Sequence, residues 1–190
     1  MATTKDLIIT TSQKLFARFG LNKTTVDEIA KLAHVAKGTI YHYFQSKEEI
    51  FNEVIEKEAR FLQDEIRKSV DIMQTPQEKL RAFVITRFTH IKELANYYSA
   101  LKDEYLSHYS FIDKARKKNL DEEIKMVSDI LEEGNKNKTF AVEDVNITAL
   151  AIVTALKGLE YPWTIETPLQ DIEKSIDVLL KVLFKGIEAR

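Results

Sequence analysis

Helix-start signals recur along this chain, and little interrupts the stretches between them. Thr25 with Glu28, Ser46 with Glu49 and Thr75 with Glu78 each set a hydroxyl three residues ahead of a carboxylate. In such a pair the hydroxyl accepts from a free N–H of the first turn, and the carboxylate accepts from the N–H of the capping residue. Helices are therefore predicted from Val26, Lys47 and Pro76, the last with proline where its missing N–H is not needed. The 190 residues hold only 5 Gly and 3 Pro. Gly20 ends a segment 4–19 whose expected buried face is Ile8, Leu15, Phe16 and Phe19. Gly134 ends a helix beginning near Ser110, and Asn135 to Phe140 is a polar loop. Pro162 and Pro168 separate apolar helices at 143–160 and 168–187. No stretch alternates with a period of two, so no sheet is expected. No repeat or low-complexity segment occurs. The expected fold class is all-α, with about nine helices.

Charge is unevenly divided. Residues 1–47 carry 7 Lys/Arg against 3 Asp/Glu, and residues 48–190 carry 21 against 27. A basic head on an acidic body suits a polyanion at the head. With no Cys, disulfides, thiolate metal sites and cysteine nucleophiles are excluded. No apolar run reaches the ~20 residues of a membrane span, and no apolar signal segment follows Met1. No membrane association and a cytoplasmic location are expected.

Residues 25–44, TVDEIAKLAHVAKGTIYHYF, have the spacing of a helix-turn-helix. Ala30 is small enough for two helices to cross. Ile29, Val35 and Ile40 wedge them apart, and His34 takes the turn position where glycine is usual. The two helices fall near 26–33 and 37–43. The second is short and polar, with Lys37, Gly38, Thr39, Tyr41, His42 and Tyr43 suited to phosphate oxygens and base edges. Gly38 is a poor helix former, and close approach of a partner to the backbone would account for it. A surface αα-hairpin without DNA contact is the alternative reading of this stretch.

The run Lys37-Gly38-Thr39-Ile40-Tyr41-His42-Tyr43-Phe44, followed by Ser46-Lys47-Glu48-Glu49, resembles the N-terminal domain of the TetR family of bacterial transcriptional regulators. Leu15-Phe16 and Phe19-Gly20 ahead of Thr24-Thr25 fit as well. The close resemblance covers roughly residues 7–51, and His34 and Ala36 depart from the family's usual glycine and serine. It implies a DNA-binding domain over 1–46, with three helices and its motif at 25–44. A helical ligand-binding and dimerisation domain over 47–190 would follow. It also implies DNA contacts from Thr25, Lys37, Gly38, Thr39, Tyr41, His42, Tyr43 and Lys47, with Phe44 in the core.

Within the body, Ile172, Ile176, Leu179, Leu183 and Gly186 repeat at coiled-coil spacing. With Leu150, Ala151, Thr154 and Gly158 they form the homodimer interface that the resemblance implies, burial in a single core being the alternative. Arg87, His90, Tyr97, Tyr98, Tyr105, His108, Tyr109 and Trp163 are the candidates for a ligand pocket, since rings with polar edges suit a mostly apolar site. Glu122-Glu123 and Glu132-Glu133 read as a solvated face. The four His show no H-E-x-x-H spacing and the Gly residues form no phosphate loop. Neither an enzyme nor a metal or cofactor is therefore expected. The expected function is sequence-specific transcriptional regulation: a repressor on a palindromic double-stranded DNA operator, released by an unidentified small molecule. A constitutive regulator without ligand, and a helical carrier or enzyme, are the alternatives.

Overall fold

The computed structural model describes residues 3–91, 94, 96, 110–165 and 169–188. Among them are eight helices: α1 Thr4–Lys23, α2 Val26–Leu32, α3 Lys37–Tyr43, α4 Lys47–Asp71, α5 Pro76–Ile91, α6 Ser110–Lys136, α7 Val145–Ile165 and α8 Leu169–Ile187. The described residues hold no strand, only an isolated bridge between Phe140 and Glu188. None of the described helices is long and apolar enough to cross a membrane.

The hydroxyl–carboxylate pairs act as caps. Glu28 accepts from the N–H of Thr25 at 2.8 Å while its own N–H donates to the Thr25 hydroxyl. Thr75 and Glu78 do the same. At α4 the Glu49 N–H donates to Ser46 Oγ, but the Glu49 carboxylate accepts from Gln45 N–H instead of the cap's own. A fourth box, Thr3 with Asp6, opens α1 with a shorter acid. These hydrogen bonds favour the ionised carboxylate, so Asp6, Glu28 and Glu78 titrate below their ordinary values.

Two boundaries differ from the sequence expectation. Helical turns resume beyond Gly20, which sits at φ 76 as a kink inside α1; glycine adopts that angle without steric cost. Past it Leu21 is buried, whereas Phe19, expected in the core, is 46% exposed. The second difference is Pro162, which lies inside α7 rather than ending it.

The chain forms two compact units, Met1–Arg60 with Leu94–Ala115, and Phe61–Glu93 with Arg116–Arg190. Residues 47–60 of α4 belong to the first and 61–71 to the second. In the first unit Ile8, Phe16, Ile29, Ile40, Phe44, Ile50 and Phe51 are buried, with Phe16 edge-on to Phe51. Glu58 is buried there too, accepting from Gln13 Nε2 at 2.8 Å and Asn96 Nδ2 at 2.7 Å. These bonds tie residue 96 to α1 and α4.

In the second unit α5 packs against α7 and α8 around Leu80, Phe83, Val84, Ile152, Leu156, Ile176 and Leu180. The segment after α6 is fastened at both ends. The Asn135 amide bonds both backbone groups of Val142, and Ala141 N–H donates to Ile187 O. Gly134 is required at its position, because a Cβ there would overlap the Phe140 ring.

Candidate nucleic-acid interface

A short polar helix must be held by its neighbours, and α3 is held by very few atoms. Ile40 is its one buried residue, and Phe44 just beyond it is 2% exposed. These pack with Ile29, Ala30 and Ala33 of the preceding helix and turn, all buried. The turn closes by Val35 N–H donating to Ala30 O at 3.0 Å and Ala33 N–H to Ile29 O at 2.9 Å. His34 takes φ 54 there, the left-handed conformation that glycine adopts most readily.

The other residues of α3 are left for something outside the chain. Lys37, Gly38, Tyr41, His42 and Tyr43 are exposed, and Thr39 is half-buried. His42 and Tyr43 meet edge to face at 5.1 Å. A Cβ on Gly38 would meet nothing within 4 Å, so packing inside this chain does not call for glycine there. Lys37 Nζ lies 2.9 Å from Asp27 Oδ2, a pairing that raises the Lys37 pKa. The Thr25 hydroxyl is already taken by the Glu28 box. Half-buried Lys47, at the start of α4, reaches only the Asn22 carbonyl among the described residues, at 3.5 Å. A cation at a helix N-terminus with free N–H groups beside it is suited to phosphate. This short helix, braced by a second one across a tight turn and exposing donors, is a helix-turn-helix reading head.

The comparisons with known proteins agree with this geometry. The profile of bacterial regulatory proteins of the tetR family matches residues 8–54, and that of the QacR-like C-terminal region matches residues 58–189. The chain belongs to the tetR family of bacterial regulatory proteins. It is 29% identical to the HTH-type transcriptional regulator YhgD of Bacillus subtilis (strain 168), with 97% of each chain covered. It is 25% identical to the HTH-type transcriptional regulator QacR of Staphylococcus aureus, covering 96% of this chain and 97% of QacR. A transcriptional regulator from Cytophaga hutchinsonii superposes with a TM-score of 0.80 at 29% identity, covering 97% and 98%. This tetR-family chain is thus a DNA-binding transcriptional regulator and not an enzyme. Regulators of this family bind operator DNA, function as dimers and bind small-molecule ligands.

The body residues singled out from sequence separate into three groups. Leu150, Ala151, Thr154, Gly158 and Gly186 are exposed. Ile172 and Ile176 are 2% and 1% exposed, filled by the protomer's own core, while Leu179 and Leu183 are half-buried. The large apolar residues left uncovered on α8, among the described residues, are Val178 and Val182, 64% and 67% exposed; on α7 Ile147 is 66% exposed. The seam read from the coiled-coil spacing is therefore the inner face of α8, and the bare stripe is the adjacent one.

Among the ligand-pocket candidates, Arg87 is buried and donates from Nε to Glu123 Oε1 at 3.1 Å. His90 stands edge-on to Phe61 at 5.6 Å. Tyr97, Tyr98, Tyr105, His108 and Tyr109 lie outside the described residues, as does the side chain of Trp163. Glu123 corrects the sequence reading: it is 3% exposed rather than solvated. Glu133 is also engaged, bonded to Lys79 at 2.6 Å. Two further polar residues escaped the sequence, Gln63 and the buried Asn119, joined at 2.6 Å.

Proposed function

We propose that this regulator is a repressor that sits as a dimer on a two-fold operator and leaves it when a small molecule binds the body. One observation carries the DNA half of this reading: α3 buries a single side chain and exposes Lys37, Gly38, Tyr41 and His42, with a glycine that no packing among the described residues explains. Thr39 and His42 read base edges, while Tyr41, Tyr43 and Lys47 hold phosphates, joined by Thr25 when it gives up its bonds to Glu28. Lys37 exchanges Asp27 for phosphate. Both side chains are exposed, so water screens the pair and the exchange costs little.

Residues 1–46 serve as the DNA-binding domain and 47–190 as the ligand-binding and dimerisation domain, in the cytoplasm. The partner subunit covers Ile147, Leu150, Val178 and Val182, with Gly158 and Gly186 allowing close helix approach. In support of coupling, the helix α4, Lys47–Asp71, has residues in both units. A ligand shifts operator affinity only through its different affinity for the two arrangements.

Selection of bound duplexes from a random library tests the DNA half. A two-fold consensus is expected, and enrichment of an asymmetric single site would reject the symmetric dimer.

A further inference from the structure

The ion pair of Lys37 with Asp27 joins the first turns of α3 and α2. Lys37 Nζ lies 2.9 Å from Asp27 Oδ2, with the two side chains 50% and 69% exposed. Neither helix needs this pair in order to form. The start of α2 is already capped, because Thr25 and Glu28 bond reciprocally. In α3 a cation in the first turn opposes the helix dipole, and that turn has neither an acid nor a side-chain cap. A pair so exposed adds little to folding. Stability therefore does not account for a lysine at position 37 held by an acid at position 27. The acids of the head are also few. Residues 1–47 carry 3 Asp/Glu, of which Asp6 serves the Thr3 cap and Glu28 the Thr25 cap. Asp27 is the one whose partner is a cation of the reading helix.

A duplex attracts cations of any protein over roughly a Debye length, about 8–10 Å at moderate salt, without regard to sequence. A lysine paired with a carboxylate presents a dipole to that field instead of a charge, because the pull on Nζ is offset by the push on the carboxylate. What separates the pair is a phosphate oxygen at hydrogen-bonding distance, which replaces one charge-assisted bond by another. A loosely held duplex supplies only the field. A duplex with α3 seated in its groove supplies the phosphate at close range.

We propose that Asp27 is a specificity-determining residue of the reading head: it keeps Lys37 from sequence-independent contact with DNA and gives it up only when α3 is seated, so that Lys37 counts toward operator binding alone. This rests on the reading that Lys37 holds a phosphate in the operator complex. Each lysine that neutralises a phosphate steepens the dependence of log affinity on log salt by about 0.9, which is roughly 2 for a dimer. The wild type has that increment on its operator and lacks it on random DNA.

The test uses the full chain with two probes, a duplex enriched by selection from a random library and a random-sequence duplex, each titrated by anisotropy at several salt concentrations. Asp27→Asn removes the charge with little change of shape at an exposed position, and Asp27→Ala also removes the acceptor. In both variants the slope on the random duplex should steepen by roughly 2, and affinity for it should rise about tenfold near physiological salt. The slope on the enriched duplex should move by less than about 1, so preference for that duplex falls. Adding Lys37→Ala to Asp27→Asn should remove the gain on random DNA. Equal steepening on both duplexes overturns the proposal, because Asp27 would then repel every duplex alike. An unchanged slope on random DNA in both variants overturns it too, as does a gain that persists without Lys37. Lys37→Ala alone tests the reading beneath, and should flatten the slope on the enriched duplex by roughly 2. Without that flattening Lys37 holds no phosphate, and contact and proposal fall together. With it, failure of the Asp27 variants sinks the proposal and leaves the contact standing.

Discussion

Two helices of this chain each leave a face uncovered, and the chemistry of the two faces is opposite. The uncovered residues of α3 are Lys37, Gly38, Tyr41, His42 and Tyr43, with donors at nearly every position. On α8 the uncovered stripe holds Val178 and Val182, and α7 leaves Ile147 and Leu150 uncovered. A polar face is stable in water and waits for a partner of defined hydrogen-bonding pattern. An apolar face of this extent is a liability until covered. The first is built for reversible recognition, the second for lasting association. Both helices are anchored from behind by a few buried residues, Ile40 and Phe44 in one case, Ile172, Ile176 and Leu180 in the other.

Exchanging the chemistry of the apolar stripe should have the largest effect. Val178→Glu with Val182→Glu is expected to give folded monomers by sedimentation, with operator affinity reduced at least about a hundredfold, because the two reading helices no longer bind as one. A dimer of undiminished stability would put the interface elsewhere. Ile176→Ala probes the opposite side of the same helix. It should cost about 2–5 kcal/mol of unfolding free energy, as core truncations do. Destabilisation close to zero in urea titrations would mean that α8 is anchored by other residues.

Smaller effects sharpen the polar side. Lys47→Ala should weaken binding to every duplex and lower the salt slope by roughly 2 per dimer, at about 0.9 per phosphate contact. Anisotropy titrations at several salt concentrations read this, and an unchanged slope removes Lys47 from the interface. His34→Gly should stabilise the head by about 1 kcal/mol or less, relieving a left-handed histidine at the expense of unfolded-state entropy. A lower melting temperature would show that the imidazole makes a contact worth more than the strain.

The smallest expected effect is a pH dependence from the capping carboxylates. Asp6, Glu28 and Glu78 have folded-state pKa values held below their ordinary ones. Their contribution is complete above the ordinary carboxylate range and is lost as pH falls through the depressed values. Acid titration of Glu28→Gln should therefore show a shallower loss of stability below about pH 4.5 than the wild type. Identical acid limbs would mean that the box at Thr25 contributes nothing to folding.

Much of the head was legible in the sequence because its information is local. A cap, a crossing alanine, a turn and a wedge lie within twenty residues of one another, and the helix limits at Val26, Lys37 and Lys47 follow from side chains a few positions away. Even the unusual His34 conformation was readable, since position in the motif determines it. The body is different because its decisive contacts join residues far apart in the chain. Ile172 and Ile176 at coiled-coil spacing and Val178 and Val182 beside them are equally apolar, and periodicity marks both stripes. Only the packing of α5 and α7 decided which stripe is spent inside. Glu123 is the sharper case. Its sequence neighbours are charged, so it read as solvated. An arginine thirty-six residues earlier, brought alongside by the fold, made burial possible, and among the described residues one of its oxygens has no partner. Local sequence determined where helices start and what the reading helix offers. Burial depends on which surfaces meet, and for α6 and α8 that was decided only when the helices packed.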